Sequence, residues 1–470
     1  MQVIIAGCGR VGSQLALLLS NEGHNVVIID RDAQAFHRLG MSFNGVTLTG
    51  IAFDEALLKE AGIESTDAFV AITNYDNTNL MAAEVAASIF GVPMVTARVY
   101  NPDKEATYRT MGIDYICGST VLAEIFHRAV TARGTLVHAD FGGGLQVLEV
   151  EVGADREGMA VSDLRSPGDG RLLALKRGGL PVFFSRDTRL ARGDRLILAA
   201  ETSNRRYMEK IMAAGLGRPM RSGVAGGPAA VETRRGRQGW RVIVAGCGRV
   251  GAQLSEMLSL DGFQVTVIDK DRNSFDRLSK TFQGEAHEGV AFDLETLERA
   301  GIEEADVFAA LTNYDNTNLM AAEVARSIYD TGKVFARLFN PDKDKTFQAL
   351  DIDYICGTVI LAEQFMQRLV SDRMKILAWA ANNQVLLAEF ECPHRFSGKQ
   401  VSKLEREELL RVGLVSHQGR TAVATKGTTM HRGDRIIAAV LAGRERRVRR
   451  MVEGGQAFRI RAKREGMAAS

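Results

Sequence analysis

The sequence predicts an α/β chain made by tandem duplication. Each half holds a Rossmann-like parallel-sheet subdomain followed by a small α+β C-terminal subdomain. Three observations carry this reading. First, Ala6-Gly7-Cys8-Gly9-Arg10-Val11-Gly12 returns as Ala245-Gly246-Cys247-Gly248-Arg249-Val250-Gly251, a shift of 239 residues, and Thr73–Ala86 recurs unchanged at that shift as Thr312–Ala325. A period this long marks duplicated domains, not a solenoid. Second, short apolar runs alternate with amphipathic stretches, the pattern of βαβ units around a parallel sheet. Third, that alternation stops after about Gly134 and again late in the second half.

Taken in order, Val3–Ala6 predicts a buried strand, followed by the glycine loop and a helix to about Asn21. Val26–Ile29 is a second strand ending in Asp30, Val46–Leu48 a short third and Ala68–Thr73 a fourth. A helix should run from about Asp76 to Phe90, with Asp76 as its N-cap. Val95–Val99 and Ile113–Ile116 complete the set, which repeats from Arg241. Leu145–Val150 and Val385–Phe390 predict strands of the smaller subdomains. Those end in matching turn-plus-strand segments, Arg192–Ile197 and Arg432–Ile437. The expected domains are therefore 1–134 and 135–216, a linker over 217–239 rich in Gly, Pro and Arg, then 240–373 and 374–443, and a basic tail over 444–470. That tail is either a solvated last helix with a frayed end or a contact for an acidic partner or the inner membrane surface.

Composition narrows the function. The chain has 470 residues, 46% hydrophobic and 25% charged, with net charge +2. This is ordinary for a globular protein and gives no global pull toward nucleic acid. No apolar run approaches the ~20 residues of a membrane-spanning helix. The first strand starts beside the initiator Met, so no signal peptide is expected and the cytoplasm is the expected compartment. The five cysteines, Cys8, Cys117, Cys247, Cys356 and Cys392, form neither a disulfide framework nor a metal-spaced cluster. They are expected to be small buried thiols.

The glycine loop occurs twice, each time directly after a strand and before a helix. Gly7 and Gly246 would permit the tight turn, Gly9 and Gly248 the approach of a pyrophosphate, and Gly12 and Gly251 close helix–strand packing. Asp30 lies 18 residues past Gly12, and Asp269 lies 18 past Gly251. Each carboxylate would accept hydrogen bonds from ribose hydroxyls and repel a 2′-phosphate, which favours NAD or an adenine nucleotide over NADP. Arg31 and Lys270, next in sequence, join Cys8, Val11, Cys247 and Val250 as candidate cofactor-binding residues. Arg10 and Arg249, inside the motif, can meet an extra phosphate in their own pocket or in a neighbour's, or neutralise a nearby acid. The heptads from Thr73-Asn74 and Thr312-Asn313 follow the fourth strand of each half, where ligands of open α/β sheets lie. Arg98 and Arg337 close the fifth strands at that edge, placed for phosphate or for Asp76 and Asp315.

Catalytic groups are missing from this pattern. None of the eight histidines has a twin in the other half, and no GxSxG, HExxH or GxxxxGK[ST] is present. A hydride-transfer enzyme needs an acid–base group near its substrate.

The motifs together resemble the TrkA family, regulatory subunits of Trk-type potassium uptake systems built from RCK (KTN) domains. The glycine-arginine loops, Asp30 with Asp32, Ala61-Gly62-Ile63 before Asp67, Thr73–Leu80 and Arg98 carry the likeness. Ala300-Gly301-Ile302 before Asp306 and Arg337 carry it in the second half. The resemblance implies a non-enzymatic peripheral cytoplasmic subunit that binds NAD(H) and ADP/ATP. It also implies a homo-oligomeric ring beneath a potassium-translocating membrane subunit, with Arg10 and Arg249 reaching nucleotide phosphate. One departure stands out: Gly50-Ile51 and Gly289-Val290 replace the family's usual Gly-Asp, removing an expected carboxylate near the base. The rival readings are a double-Rossmann NAD-dependent oxidoreductase and a nucleotide-sensing scaffold with a soluble partner.

Overall fold

Val3, Ile4, Ile5 and Ala6 are completely buried, because strand β1 (Gln2–Ala6) lies inside a sheet covered on both faces. The computed structural model describes residues 1–131, 135–142, 144–152, 156–163, 170–177, 180–182, 184–201, 239–350, 352–370, 374–380, 385–405, 409–441 and 443–453. They fall into two compact units, one holding the described residues of 1–130 and 225–371, the other those of 131–224 and 372–470.

The first unit holds both Rossmann-like copies. β1 is followed by β2 (Asn25–Asp30), β3 (Val46–Thr49), β4 (Ala68–Ala71), β5 (Met94–Val99) and β6 (Asp114–Cys117), parallel throughout in the order β3-β2-β1-β4-β5-β6. The order reverses between β1 and β4, so the glycine loop after β1 and the Thr73 loop after β4 flank the switch point where such sheets bind ligands. The fourth strand stops two residues before the expected Thr73, whose amide is turned toward Asn79.

The second unit begins with β7 (Thr135–Asp140), β8 (Leu145–Glu151), β9 (Arg171–Arg177), β10 (Leu180–Val182) and β11 (Arg195–Glu201), an antiparallel sheet in the order β10-β9-β11-β8-β7. The chain then returns to the first unit with β12 (Arg241–Ala245), β13 (Gln264–Asp269), β14 (Glu285–Glu288), β15 (Val307–Ala310), β16 (Lys333–Leu338) and β17 (Asp353–Cys356), repeating the first topology. Finally β18 (Met374–Ala380), β19 (Val385–Glu391), β20 (Leu410–His417), β21 (Arg420–Val423) and β22 (Arg435–Leu441) form the second antiparallel sheet, in the order β18-β19-β22-β20-β21. Leu173, Ile197 and Ala199 of one antiparallel sheet share a core with Leu387, Leu414 and Ile437 of the other.

Within the first unit the two copies dock reciprocally. Helix Arg10–Asn21 buries Val11, Leu15 and Leu19 in one cluster with Leu361, Phe365 and Met366 of helix Gly357–Leu369. A Cβ on Gly118 would come within 2.9 Å of Leu361, and one on Gly357 within 2.7 Å of Leu122. Leu122 and Leu361 are twins, as are Gly118 and Gly357. Such i-to-j and j-to-i contact is the geometry of a two-fold interface, built here inside one chain.

Two expectations are corrected. The helix from Asp76 is α-helical only to Glu84 and continues as a π-turn over Val85–Ile89, whereas its twin is α-helical over Asp315–Ser327. Asp76 is not the N-cap; Tyr75 holds that place without a side-chain bond, and the Asp76 carboxylate is used elsewhere, as described below. The linker over 217–239, apart from Gly239, lies outside the described residues, as do Arg459, Arg461, Lys463 and Arg464 of the tail. The preceding helix Glu445–Glu453 buries Val448 and Val452 against the second antiparallel sheet. No helix among the described residues is long and apolar enough to cross a membrane. All five cysteines are free and buried.

Candidate functional site

The glycine loop is shaped by contacts that exclude side chains at two of its positions. Gly7 has φ +115° and Gly246 φ +116°, and a Cβ there would sit 2.8 and 2.7 Å from the backbone nitrogens of Thr73 and Thr312. Gly12 and Gly251 lie so close to the loop that a Cβ would meet the Gly7 and Gly246 carbonyl oxygens at 1.9 Å. Gly9 and Gly248 differ: a Cβ on Gly9 would meet only the Asn74 side chain at 3.9 Å, and one on Gly248 nothing. Those two glycines open onto space that a phosphate can enter.

Asp30 ends β2 and holds the loop from below. One carboxylate oxygen accepts the Cys8 amide at 2.6 Å and the other the Asp32 amide at 3.0 Å. Asp269 does the same with Cys247 at 2.7 Å and Asp271 at 3.0 Å. A carboxylate has about four lone-pair sites, so each retains capacity for sugar hydroxyls. The Cys8 and Cys247 thiols are not available chemistry. Burial, then the adjacent aspartate charge, pushes each up to about 12.

The Thr73 heptad is largely a latch. Asn79 is fully buried. Its Oδ1 accepts from the Thr73 amide and hydroxyl, both at 2.7 Å, and its Nδ2 donates to the Arg98 carbonyl at 2.9 Å. Asp76 accepts the Tyr100 and Asn101 amides at 2.7 and 3.0 Å, which pins the chain leaving β5. Asn318 and Asp315 repeat every one of these bonds. Asp76 therefore spends its carboxylate on backbone, and Arg98 stacks on Tyr100 instead, 4.1 Å from the ring centre.

Reciprocal docking then brings the arginines together. Arg98 and Arg249 both face the Tyr100 ring, at 4.1 and 5.4 Å, while Arg337 and Arg10 both face Phe339, at 4.2 and 4.5 Å. The four guanidinium groups line one cleft of about 230 Å³, along with Gly9, Val11, Asn74, Val250 and Asn313 and the first residues of helices Gly118–Thr131 and Gly357–Leu369. No acidic side chain lines it. Arg98 Nε and Arg337 Nε are buried without a hydrogen-bond partner, an unusual state for such strong donors. Burial, then the charges of Arg98 and Arg10, pulls Arg337 down to about 9. Arg98 is lowered too, chiefly by burial, with Arg10 and Arg249 adding to it. Helix N-termini add partial positive charge. Such a concentration of guanidinium groups favours an anion carrying several negative oxygens.

Asp30 with Arg31, and Asp269 with Lys270, do not line that cleft. Arg31 sits 5.5 Å from the exposed Tyr75 ring, and Lys270 5.6 Å from Tyr314. Thr73 and Thr312 are committed to the latch. Ile51 and Val290, where a carboxylate was expected, are 55% and 42% exposed. Sequence reasoning missed Tyr100 and Phe339, and also Ser119 and Thr358, whose hydroxyls donate to the Tyr100 and Phe339 carbonyls. The signal for Tyr100 and Phe339 was their position two residues past Arg98 and Arg337.

The TrkA-N domain model matches residues 3–119 and again 242–358, and the TrkA-C domain model matches residues 147–213. The Trk system potassium uptake protein TrkA of Streptomyces coelicolor is 38% identical over 216 residues, 46% of this chain and 97% of the relative. The chain belongs to the TrkA family. A TrkA homolog of Archaeoglobus fulgidus is 26% identical over 450 residues, 93% of this chain and 96% of its own. Among solved structures, the GsuK RCK domain superposes with TM-score 0.59 at 17% identity, covering 96% of this chain and 95% of that one. The RCK fold of this family member is therefore duplicated along one polypeptide.

Proposed function

We propose that this chain is the peripheral cytoplasmic regulatory subunit of a Trk-type potassium transporter. It binds NAD(H) and ADP or ATP in its two Rossmann-like pockets and controls uptake through a separate membrane subunit. The names of its relatives support the potassium assignment. The observation that carries nucleotide sensing is the cleft shared by Arg10, Arg98, Arg249 and Arg337. Asp30 and Asp269 take the ribose, the loop amides the inner phosphates, and the cleft the outermost phosphate. Arg10 projects toward Phe339 of the other copy, so a nucleotide held by one copy is read by both.

Regulation then follows from differential affinity, because a ligand shifts a conformational balance only as far as it prefers one state. A tenfold preference is worth about 1.4 kcal/mol, and several sites in one assembly add their preferences. A third phosphate supplies such a difference, since ADP does not reach the cleft. The ring expected of this chain needs a covered apolar surface, and exposed Met81, Ile89, Met320 and Ile328 fit that need.

Calorimetric titration of the purified chain tests the reading. NADH, ADP and ATP should each bind, and Arg10→Ala should weaken ATP roughly tenfold more than ADP, the loss of one charge-assisted contact. Equal losses for both would reject the outer-phosphate role. Steady consumption of NADH absorbance with a substrate would favour the oxidoreductase instead.

A further inference from the structure

The two antiparallel sheets share a feature that their sequences treat differently. Each carries a buried aspartate in the turn before its last long strand: Asp194 and Asp434, both 1% exposed. In each, the carboxylate accepts the amide three residues back, Ala191 at 2.8 Å and His431 at 2.7 Å. A buried carboxylate needs a cation or several donors. Asp194 has Arg177, which donates from Nε and Nη2 to the two carboxylate oxygens, each at 2.7 Å. In the second sheet, His417 stands where Arg177 stood and His431 where Ala191 stood.

Those replacements gather three ligand-type groups. His417 Nδ1 is 2.5 Å from Asp434 Oδ1, His431 Nδ1 is 3.7 Å from Asp434 Oδ2, and the two rings are 4.9 Å apart. One ligand atom from each residue lies within 4.8 Å of the others. The His417 ring alone gives Asp434 a partner in the place of Arg177. The second imidazole, absent from the twin, is not required for that pairing. Two neutral imidazoles and a carboxylate form a common ligand set for tetrahedral zinc, with one position left open. Tetrahedral metal–ligand bonds of ~2.0–2.2 Å put the ligand atoms ~3.3–3.6 Å apart, between the 2.5 and 3.7 Å seen here. Both imidazoles are about half exposed, so an ion can enter and the rings can adjust.

We propose that His417, His431 and Asp434 bind one divalent transition-metal ion of the zinc class. Imidazole ligands disfavour the hard, oxygen-seeking calcium and magnesium ions. The ion would tie the β20–β21 hairpin to the turn before β22. This site is independent of the nucleotide reading and has no counterpart in the first copy.

The test is a competition titration of the tag-free full chain with zinc chloride against a chromophoric zinc indicator. The expected result is one ion per chain that is lost in the double variant His417→Arg/His431→Ala, with affinity at least about tenfold weaker in His431→Ala alone. His417→Arg installs the pairing already present at Asp194, so the variant should keep its fold by circular dichroism. Zinc uptake by the unaltered chain no greater than that of the double variant would overturn the proposal, leaving the histidines as partners of Asp434 only.

Discussion

At the scale of single residues, Gly9 is the cleanest probe of ligand binding. A methyl group there meets only one side-chain atom, at 3.9 Å, so Gly9→Ala should leave the melting temperature of the ligand-free chain nearly unchanged. It should weaken any nucleotide whose phosphates approach the loop, and titration beside a thermal melt separates the two effects. Gly12→Ala should fail in both assays, because its Cβ would strike backbone at 1.9 Å. Arg337 supplies a pH signature. Its proton is held less firmly in the folded chain, by burial and by Arg98 and Arg10, at about 9. The folded state therefore carries a charge penalty below that pH, relieved as pH rises through about 9 toward the unfolded value. A bound polyphosphate offsets the penalty only while Arg337 is charged. The nucleotide-induced rise in melting temperature should be largest below pH 9 and shrink above it. A rise that does not change across that range would exclude Arg337 from the anion site.

At the scale of elements, the latch accounts for three positions of the Thr73 heptad that match in both halves, Thr73, Asp76 and Asn79. Asn79→Ala would strand the Thr73 amide and the Arg98 carbonyl, and leaving buried groups unpaired costs roughly 1–3 kcal/mol each. A loss of about 3 kcal/mol in denaturant unfolding is expected even without nucleotide. In the first antiparallel sheet, burial alone would raise the Glu149 carboxyl. The hydrogen bond from His138 and the charges of Arg195, His138 and Lys176 outweigh that and hold it below the usual range. Its stabilising contribution is present above the unfolded carboxylate range and is lost as pH falls. Glu149→Gln should therefore cost about 3 kcal/mol near neutrality and flatten the acid limb of the stability profile. The glycine loops, the strand-end aspartates and the sheet order were legible because a phosphate-binding turn has a local grammar of spacing. The latch was not. Identity between copies marks constraint without saying whether packing or ligand imposes it, and Asp76 looked like a cap until its carboxylate was seen on the Tyr100 amide. The arginine cleft was half legible: each guanidinium was singled out, but their meeting depends on Leu122 and Leu361 docking across copies, which no local pattern encodes.

At the scale of the whole molecule, the proposed ring and the proposed transporter are separable. Met81→Lys with Met320→Lys charges two exposed apolar positions and should reduce the assembly size seen by light scattering while leaving nucleotide titration intact. Deletion of the gene should slow growth at limiting potassium where no redundant uptake system exists. Normal growth there would remove the potassium assignment and leave the nucleotide site standing.

The reciprocal docking of Gly118 on Leu361 and Gly357 on Leu122 has a consequence for evolution and for signalling. Two separate identical polypeptides must present matching halves, and dilution can part them. Covalent fusion raises the effective concentration of one half for the other and frees the halves to specialise. Lys270 standing where the first half has Arg31, and Val290 where it has Ile51, are marks of that freedom: the two loops already differ at positions that border them, while the seam between the copies keeps its matched glycines and leucines.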